Sequence, residues 1–420
     1  MDTPGKLIVG YDLCEDFTQI SCFSYKRQEP VTISPAGEED YSPIPTVLCI
    51  KQETKQWLFG EEAVICAAAG EGIRIDSILS KIITGEETVI FDQKFTGVML
   101  LEKFLRKTLM LIKNYFPTEP ITQLVVTVRD TQPALVEKIY QALSMLGIDK
   151  DRAVVMGHAG AYLYYALSQE RSLWLNDVGL FDFNRQGLSY YQISFNRRVK
   201  PIVASLAKKD LTDHLSYDML DKKEVDVGYI FKTLADTLLF KQIVSTLYFT
   251  GIGFEGGWAE KIIQSLCTGR RAFLGQNLYT KGACYAAKEL SGDRKLEDYI
   301  LLNDEMITSS IGIRLYADAK MTEVPLTEAA IPWYEVNKSI EVIPEDEAEI
   351  ELVIKNIITR EVLRERLVPS HLPERPKRMT RLEINLTCTS SSEAKITVTD
   401  RGFGAFYPET GRVWEFLLEI

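Results

Sequence analysis

The chain has 420 residues, of which 46% are hydrophobic and 25% are charged. This is the composition of an ordinary globular protein, which excludes a disordered chain, and the length predicts two or three domains. Acidic residues outnumber basic residues by 59 to 48, and the formal charge of −11 disfavours binding to nucleic acid or to an anionic membrane surface. Apolar runs such as Leu100 to Leu111 are interrupted by charge, so we expect no membrane span and predict a cytoplasmic protein.

Cysteine and histidine are sparsely distributed. The seven cysteines are odd in number and form no C-x-x-C pair, so the sequence predicts neither a disulfide framework nor a zinc motif. The three histidines, His158, His214 and His371, lie far apart, which gives histidine-based metal catalysis little to build on. We therefore expect no obligate metal centre.

The N-terminal part alternates strands with helices. Apolar runs predict strands at Lys6 to Tyr11 and Phe17 to Phe23, joined by a short acidic turn. An apolar helical segment is predicted at Ile75 to Ile83, a buried strand at Gln123 to Val128, and a further helix at Pro133 to Leu146. Such alternation predicts an α/β domain with a mixed or parallel sheet.

A second hairpin is predicted later in the chain. Val178 to Asp182 and Leu188 to Phe195 have the composition of paired strands around a short turn. A strand at Thr246 to Thr250 then leads into a glycine-rich turn that begins at Gly251 and precedes a helix at Trp258. Glycine at this density is needed for positive φ angles or for the close approach of a ligand.

The C-terminal part has a two-residue period. Apolar and polar residues alternate at Ile350 to Ile354, Leu382 to Leu386 and Ala394 to Val398, which is the pattern of half-buried antiparallel strands. We predict an antiparallel β-sandwich over residues 309–420, preceded by an acidic, leucine-rich linker at 298–308.

Several short motifs follow one another in a distinctive order. They are Val9-Gly10-Tyr11-Asp12-Leu13, Ser80-Lys81-Ile82-Ile83-Thr84-Gly85, Leu180-Phe181-Asp182-Phe183, Thr250-Gly251-Ile252-Gly253, Tyr279-Thr280-Lys281-Gly282 and Tyr299-Ile300-Leu301-Leu302-Asn303-Asp304. In this order they resemble the first phosphate hairpin, the phosphate-reaching lysine, the second phosphate hairpin, the adenosine loop, the closing helix and the interdomain linker of the 70-kDa heat-shock chaperones. These chaperones belong to the actin and heat-shock ATPase superfamily. Each motif is weak alone, and their shared order carries the resemblance.

The resemblance implies a domain organisation. Residues 1–170 would form the first lobe of an actin-like α/β nucleotide-binding domain with ribonuclease-H-like lobes, and residues 171–297 a second, reduced lobe. Residues 298–308 would be the linker, and residues 309–420 a β-sandwich similar to a chaperone substrate-binding domain. In the family this sandwich binds extended peptides, so the resemblance implies a polypeptide client or protein partner. Because the sequence stops at Ile420, directly after the predicted sandwich, we expect the family's helical lid to be absent.

The resemblance also implies ATP or ADP with Mg²⁺ as the ligand. The residues that it assigns to nucleotide binding are Asp12, Lys81, Asp182, Gly251, Gly253 and Gly282. Lys81 would face the phosphates, and Asp12 and Asp182 would hold the magnesium ion through its water shell.

The two phosphate turns depart from the family pattern. Cys14, Glu15 and Asp16 replace the small and hydroxyl-bearing residues of the first turn, Asn184 to Gly187 replace those of the second, and His158 stands where the family has its catalytic glutamate. A carboxylate about 4 Å from a phosphate charge costs on the order of 4 kcal/mol at an effective dielectric near 20. The acidic turn therefore opposes ordinary ATP binding, and any ATPase activity is expected to be weak.

Three functions are open at this point. The first is a divergent chaperone-like protein that couples nucleotide binding to peptide binding, and the second is a pseudo-ATPase scaffold that uses the fold only for protein interaction. A small-molecule kinase of the same fold is less favoured, because the C-terminal third has the pattern of a sandwich. Each of these residues also has an alternative role that is purely structural. Asp12 and Asp182 would then hydrogen-bond within their own turns, and Lys81 would be a solvated helix residue. His158 would cap or pack a helix, and Tyr279 would belong to the core.

Overall fold

A computed structural model describes residues 6–34, 43–317, 319–345 and 349–420. Within these ranges, none of the helices combines the length and the apolar character that a membrane crossing requires.

The chain forms two compact units. The N-terminal unit comprises the chain up to Phe195 together with Leu206–Tyr299, and the C-terminal unit comprises Asn196–Ser205 together with Ile300–Ile420. Three strands contain a boundary between the units, namely β13 (Gly187–Asn196), β14 (Ile202–Asp210) and β17 (Tyr299–Leu302).

The N-terminal unit is built from both strands and helices. Its strands are β1 (Leu7–Leu13), β2 (Phe17–Ser24), β3 (Glu29–Ile33), β4 (Ile44–Pro45), β5 (Leu48–Lys51), β6 (Trp57–Phe59), β7 (Gly72–Ile75), β8 (Thr88–Ile90), β9 (Gln93–Phe95), β10 (Ile121–Val128), β11 (Ala153–Gly157), β12 (Asp177–Asn184), β13 (Gly187–Asn196), β15 (Val244–Thr250) and β16 (Arg271–Leu274). Its helices are α1 (Gly60–Ala68), α2 (Ile78–Thr84), α3 (Gly97–Met110), α4 (Pro133–Ser144), α5 (His158–Ser168), α6 (Val227–Leu239), α7 (Glu260–Leu266) and α8 (Leu278–Leu290).

The first large sheet is built around a hairpin. Strand β1 pairs antiparallel with β2 on one side and parallel with β10 on the other, giving the order β11-β10-β1-β2-β3. Every residue of β1 is buried, which explains why its sequence is a continuous apolar run rather than an alternating one. The hairpin predicted at Lys6 to Tyr11 and Phe17 to Phe23 is confirmed.

The second large sheet repeats this arrangement. Strand β12 pairs antiparallel with β13 and parallel with β15, and the order β16-β15-β12-β13 matches β11-β10-β1-β2. In this match Asp12, which lies beside Thr127 of β10, corresponds to Asp182, which lies beside Thr250 of β15. The two hairpin aspartates therefore occupy equivalent positions in two similar sheets.

Helix α8 approaches β1 and α5 closely through glycines. A Cβ atom added at Gly10 would lie 2.2 Å from the backbone nitrogen of Cys284, and one added at Gly282 would lie 2.1 Å from the carbonyl oxygen of Ala161. Ala283 and Ala287 of α8 pack with Ile8 of β1 in one apolar cluster. This packing fixes the beginning of α8 near the ends of the hairpins.

Two predicted helix starts are wrong by a few residues. The segment predicted as helical from Ile75 begins as helix only at Ile78, because β7 pairs with β5 and ends at Ile75. The helix predicted to begin at Trp258 begins at Glu260, after a 3₁₀ turn at Ile252–Phe254.

The C-terminal unit contains two four-stranded antiparallel sheets, with the orders β19-β18-β21-β22 and β20-β23-β24-β25. The strands are β18 (Ser309–Ala317), β19 (Lys320–Thr327), β20 (Asn337–Val342), β21 (Ile350–Asn356), β22 (Val362–Leu367), β23 (Leu382–Ser390), β24 (Glu393–Asp400) and β25 (Val413–Glu419). The alternating apolar residues of β21, β23 and β24 pack into one core that both sheets share. The strands predicted from the two-residue period are confirmed.

A buried ion pair lies at the end of β24. Arg375 donates to both carboxylate oxygens of Asp400, at 2.7 and 2.8 Å. Asp400 also accepts from the backbone nitrogen of Gly402 at 3.0 Å and from the hydroxyl of Thr410 at 2.7 Å. Burial by itself would raise the pKa of Asp400, but these hydrogen bonds outweigh burial and hold the pKa well below its ordinary value. The carboxylate is therefore fully satisfied as an anion.

Candidate functional site

The ends of the two hairpins meet at one small cavity in the N-terminal unit. Asp12 lies near the end of β1 and Asp182 near the end of β12, and the two residues are 2% and 3% exposed. Both line the cavity, together with His158, Tyr279, Arg129 and Gly251. The repeated sheet topology therefore brings together two aspartates that are 170 positions apart in the sequence.

A continuous chain of side chains joins the two aspartates. His158 Nε2 lies 2.8 Å from Asp12 Oδ1, and the His158 ring stacks on the Tyr279 ring with 3.7 Å between centroids and 13° between planes. The Tyr279 hydroxyl then donates to Asp182 Oδ2 at 2.7 Å. We call the set Asp12, His158, Tyr279 and Asp182 the bridging chain.

The Asp182 end of the bridging chain is fully hydrogen-bonded. Asn184 Nδ2 donates to the second carboxylate oxygen of Asp182 at 2.8 Å. Burial, and then the negative charge of Asp182, raises the pKa of Tyr279 well above its ordinary value. Tyr279 therefore keeps its proton and acts as a hydrogen-bond donor.

The Asp12 end has a different chemistry. The Cys14 thiol donates to Asp12 Oδ1 at 3.6 Å, and its sulfur lies 3.8 Å from His158 Nε2. Burial, and then the charge of Asp12, raises the pKa of Cys14, so the thiol is protonated and is not an activated nucleophile. The Nδ1 atom of His158 is buried and has no hydrogen-bond partner among the residues that the structure describes.

Arg129 brings a positive charge to the cavity. It directly follows β10, the parallel neighbour of β1, and is half-buried. Burial lowers the pKa of Arg129, but its negative neighbours, among them Asp182 and Asp16, outweigh burial and raise it. Arg129 was not among the predicted site residues, although its position immediately after the buried strand β10 could have indicated it.

The lysine assigned to the phosphates lies on α2. Lys81 Nζ is 3.6 Å from the Glu86 carboxylate, and the lysine side chain is 17% exposed. Glu15, from the acidic turn, accepts from the backbone nitrogen of Ser80 at 2.9 Å and from its hydroxyl at 3.1 Å. The Glu15 carboxylate thus binds the first turn of α2, where the helix dipole favours a negative charge.

The three glycines assigned to nucleotide binding lie in different environments. Gly251 lines the cavity, but its N–H donates to Gln276 Oε1 at 2.9 Å and its carbonyl accepts from Gln276 Nε2 at 3.1 Å. A Cβ atom at Gly253 would lie 2.5 Å from the Phe183 ring. Gly282 lies at the contact between α8 and α5. Close packing within the protein explains why glycine is needed at positions 253 and 282. At Gly251, the Gln276 side chain forms hydrogen bonds with both the backbone N–H and the backbone carbonyl.

The cavity between the hairpins is small. Its volume is about 20 Å³, and a water molecule needs about 10–15 Å³ on the same measure. Sites for drug-sized ligands have volumes of about 300–1,000 Å³. The side chains in this arrangement leave room for one water molecule, so ATP with Mg²⁺ does not fit unless the bridging chain opens.

Two family matches cover most of the chain. Residues 29–304 match the family described as "Family of unknown function (DUF5716) C-terminal", and residues 306–420 match the domain described as "Domain of unknown function (DUF8552)". The chain therefore belongs to the DUF5716 family. No curated protein matches the chain.

Proposed function

We propose that this protein is a pseudo-ATPase scaffold: an actin-like unit with a closed cleft, joined to a β-sandwich that binds a polypeptide partner. The observation that carries the proposal is the bridging chain. In it, the Asp12 and Asp182 carboxylates bond to His158 and Tyr279, so they are not free to hold the water shell of a magnesium ion.

The repeated topology supports the actin-like part of the proposal. Each large sheet has a hairpin whose first strand also pairs with a parallel strand, and each hairpin carries an aspartate at the equivalent register position. This duplication matches what the resemblance to the 70-kDa heat-shock chaperones implies. Fold alone does not define function, so the functional part of the proposal rests on the cavity.

The charges around the cavity also favour a closed cleft. Asp12 and Asp182 are buried beside the cavity, and with no cation between them a carboxylate about 4 Å from a phosphate charge costs on the order of 4 kcal/mol at an effective dielectric near 20. The resemblance implies that a lysine and backbone N–H groups face the phosphates and that Mg²⁺ lies between the phosphates and the aspartates. Here Lys81 pairs with Glu86, and the Gly251 N–H is bonded to Gln276.

A second candidate is the chaperone-like protein that binds ATP or ADP with Mg²⁺. The observation that favours it is that Asp12, Asp182 and Gly251 line the same cavity, as the resemblance implies. In this candidate the bridging chain is a resting state that nucleotide opens.

The partner is proposed to be a polypeptide that binds the two-sheet C-terminal unit. The support is the pair of antiparallel sheets around one core. Among the described residues, the outer strands of each sheet pair with one strand neighbour, and an extended peptide can add to such an edge. The cysteines are free thiols, as expected in a reducing compartment, and the proposal therefore places the protein in the cytoplasm.

Thermal unfolding of the full chain with and without ATP and Mg²⁺ tests the proposal. A ligand present at 100 times its Kd stabilises the native state by about 2.7 kcal/mol. We expect no change in Tm at millimolar nucleotide. A rise in Tm that is lost in Asp12→Asn but kept in Asp210→Asn, a carboxylate that is exposed on β14, would establish the chaperone-like candidate.

Peptide binding provides the second arm of the test. Fluorescence anisotropy with a labelled, extended apolar peptide measures the affinity of the full chain for a polypeptide. We expect the same Kd in the presence and absence of ATP with Mg²⁺. A change in Kd with nucleotide would contradict the scaffold, because it requires free-energy coupling between a nucleotide site and the peptide site.

A further inference from the structure

Three potential metal ligands of different chemical types meet at the Asp12 end of the bridging chain. They are Asp12 Oδ1, Cys14 Sγ and His158 Nε2; all three residues are buried, and the three atoms lie within 4.8 Å of one another. Asp12 and Cys14 come from the first hairpin, and His158 is the first residue of α5. No part of the proposed scaffold function uses this sulfur.

We propose that Asp12, Cys14 and His158 bind a transition-metal ion of the zinc type, with a water molecule as the fourth ligand. The inference concerns the same cavity and rests on the proposed function only in that both take the cavity to be closed to nucleotide.

The distances between the ligand atoms support this site. In a tetrahedral zinc site with ordinary bond lengths, neighbouring ligand atoms are about 3.4–3.6 Å apart. The sulfur of Cys14 lies 3.6 Å from Asp12 Oδ1 and 3.8 Å from His158 Nε2. The separation between His158 Nε2 and Asp12 Oδ1 is 2.8 Å and has to increase by about 0.6 Å to reach that tetrahedral spacing.

The cavity beside the cluster has room for the fourth ligand. Asp12 and His158 both line this cavity, and its volume of about 20 Å³ is enough for one water molecule. A water molecule there would complete the four ligands on the Nε2 side of the His158 ring. The Nδ1 atom of His158, which has no partner among the described residues, faces away from the Nε2 position and is separate from the metal site.

Charge balance and ligand type decide which metal is favoured. One thiolate and one carboxylate neutralise a divalent cation, so the loaded site carries no net charge and tolerates burial. The thiolate and the imidazole select a borderline or soft cation, whereas Mg²⁺ prefers oxygen ligands in an octahedral arrangement. On binding, the Cys14 thiol releases its proton to water, so the affinity for metal increases with pH.

Titration of the metal-free full chain with Co²⁺, a spectroscopic substitute for Zn²⁺, tests the site. We expect one equivalent to bind with the thiolate-to-cobalt charge-transfer absorption, and excess Mg²⁺ to leave the absorption unchanged. Cys14→Ser should abolish the charge-transfer band and weaken binding by at least about tenfold. The matched control is Cys22→Ser, a buried thiol on β2 of the same sheet, which should keep the band.

Each other outcome overturns the proposal. Absence of the band in folded wild-type protein would show that Asp12 and His158 form only a hydrogen bond. Persistence of the band in Cys14→Ser, or displacement of Co²⁺ by Mg²⁺, would place the metal elsewhere. If Cys14→Ser unfolds, His158→Gln provides the same test, with circular dichroism as the check on folding. The cobalt titration is read in the absence of nucleotide and the thermal assay in the absence of added metal other than Mg²⁺, so failure of the metal site and failure of the scaffold are distinguishable.

Discussion

The imidazole of His158 stacks face to face on the phenol ring of Tyr279, with 3.7 Å between centroids and 13° between planes. His158 begins α5, which follows the first sheet, and Tyr279 lies in the first turn of α8, which follows the second. The stack therefore fills the space between the two hairpins. Each ring also bonds to one hairpin aspartate, so the contact both closes the cavity and ties the two sheets together.

Replacing Tyr279 with Phe removes the hydroxyl and keeps the ring stack. The Asp182 carboxylate then loses one of its two side-chain donors while it stays buried. We expect the free energy of unfolding of the N-terminal unit to fall by about 1–3 kcal/mol, which is the cost of an unsatisfied buried polar group. Hydrogen exchange of the β12 amides as a function of urea measures this change.

Tyr162→Phe is the matched control. Tyr162 is fully buried, and its hydroxyl has no hydrogen-bond partner among the described residues. Its removal should leave stability unchanged or raise it. Equal losses for the two variants would show that the Tyr279 hydroxyl contributes nothing beyond an ordinary buried phenol.

Gly282→Ala tests whether this glycine serves packing. The added Cβ would lie 2.1 Å from the carbonyl oxygen of Ala161, so α8 and α5 have to separate. We expect a loss of at least about 1–3 kcal/mol, as for an overpacked core. Gly275→Ala, with no atom within 4 Å of the new Cβ, should change stability by less than about 0.5 kcal/mol. Equal, small effects in thermal unfolding would contradict the packing role.

The sequence predicted those strands in which burial leaves a direct composition signal. The apolar run of β1 and the alternation in β23 and β24 follow from one or two buried faces. The short strand β7 was missed, since four residues beside a helix carry little periodicity. The duplication of the two sheets was implied only by the resemblance, with one hairpin aspartate in each lobe, because the duplication lies in strand order and register and not in any repeated residue pattern.

The candidate site was harder to predict because its contacts join distant parts of the chain. Asp12 was singled out from its hairpin, but its partner His158 is 146 positions away and was considered only as an aligned substitution. Cys14 was noted only as a departure from the family turn. Lys81 was assigned from its motif, and its contact with Glu86 depends on how α2 ends. A single sequence contains no pairing information of this kind.

Arg375→Met removes the partner of a buried carboxylate in the C-terminal unit. The Arg375 and Asp400 side chains are 5% and 0% exposed, so the remaining charge stays buried. We expect a loss of about 3–5 kcal/mol, measured by hydrogen exchange of β23 and β24 amides in urea. Lys395→Ala, which breaks the more exposed pair with Glu415 on the same sheet, should cost less than about 1 kcal/mol. Similar losses would argue against a special role for the buried pair.

The low pKa of Asp400 predicts how the free energy of unfolding of the C-terminal unit depends on pH. Its pKa in the folded protein lies well below the ordinary value of 3.8, so the folded state binds this proton less readily than the unfolded state does. The stabilisation is complete above pH 3.8 and is lost as the pH falls below that value toward the folded pKa. The stability difference between wild type and Asp400→Asn should therefore shrink on acidification. A difference that stays constant down to about pH 3 would contradict the low pKa.

Isothermal titration calorimetry of ATP with Mg²⁺ into the folded full chain tests the central claim most directly. The closed bridging chain predicts no binding heat in the wild type, because His158 and Tyr279 occupy the space between Asp12 and Asp182. Micromolar binding that is abolished in Asp182→Asn and kept in Asp210→Asn would contradict the claim. It would mean that the chain opens for nucleotide and that the protein is a nucleotide-dependent switch.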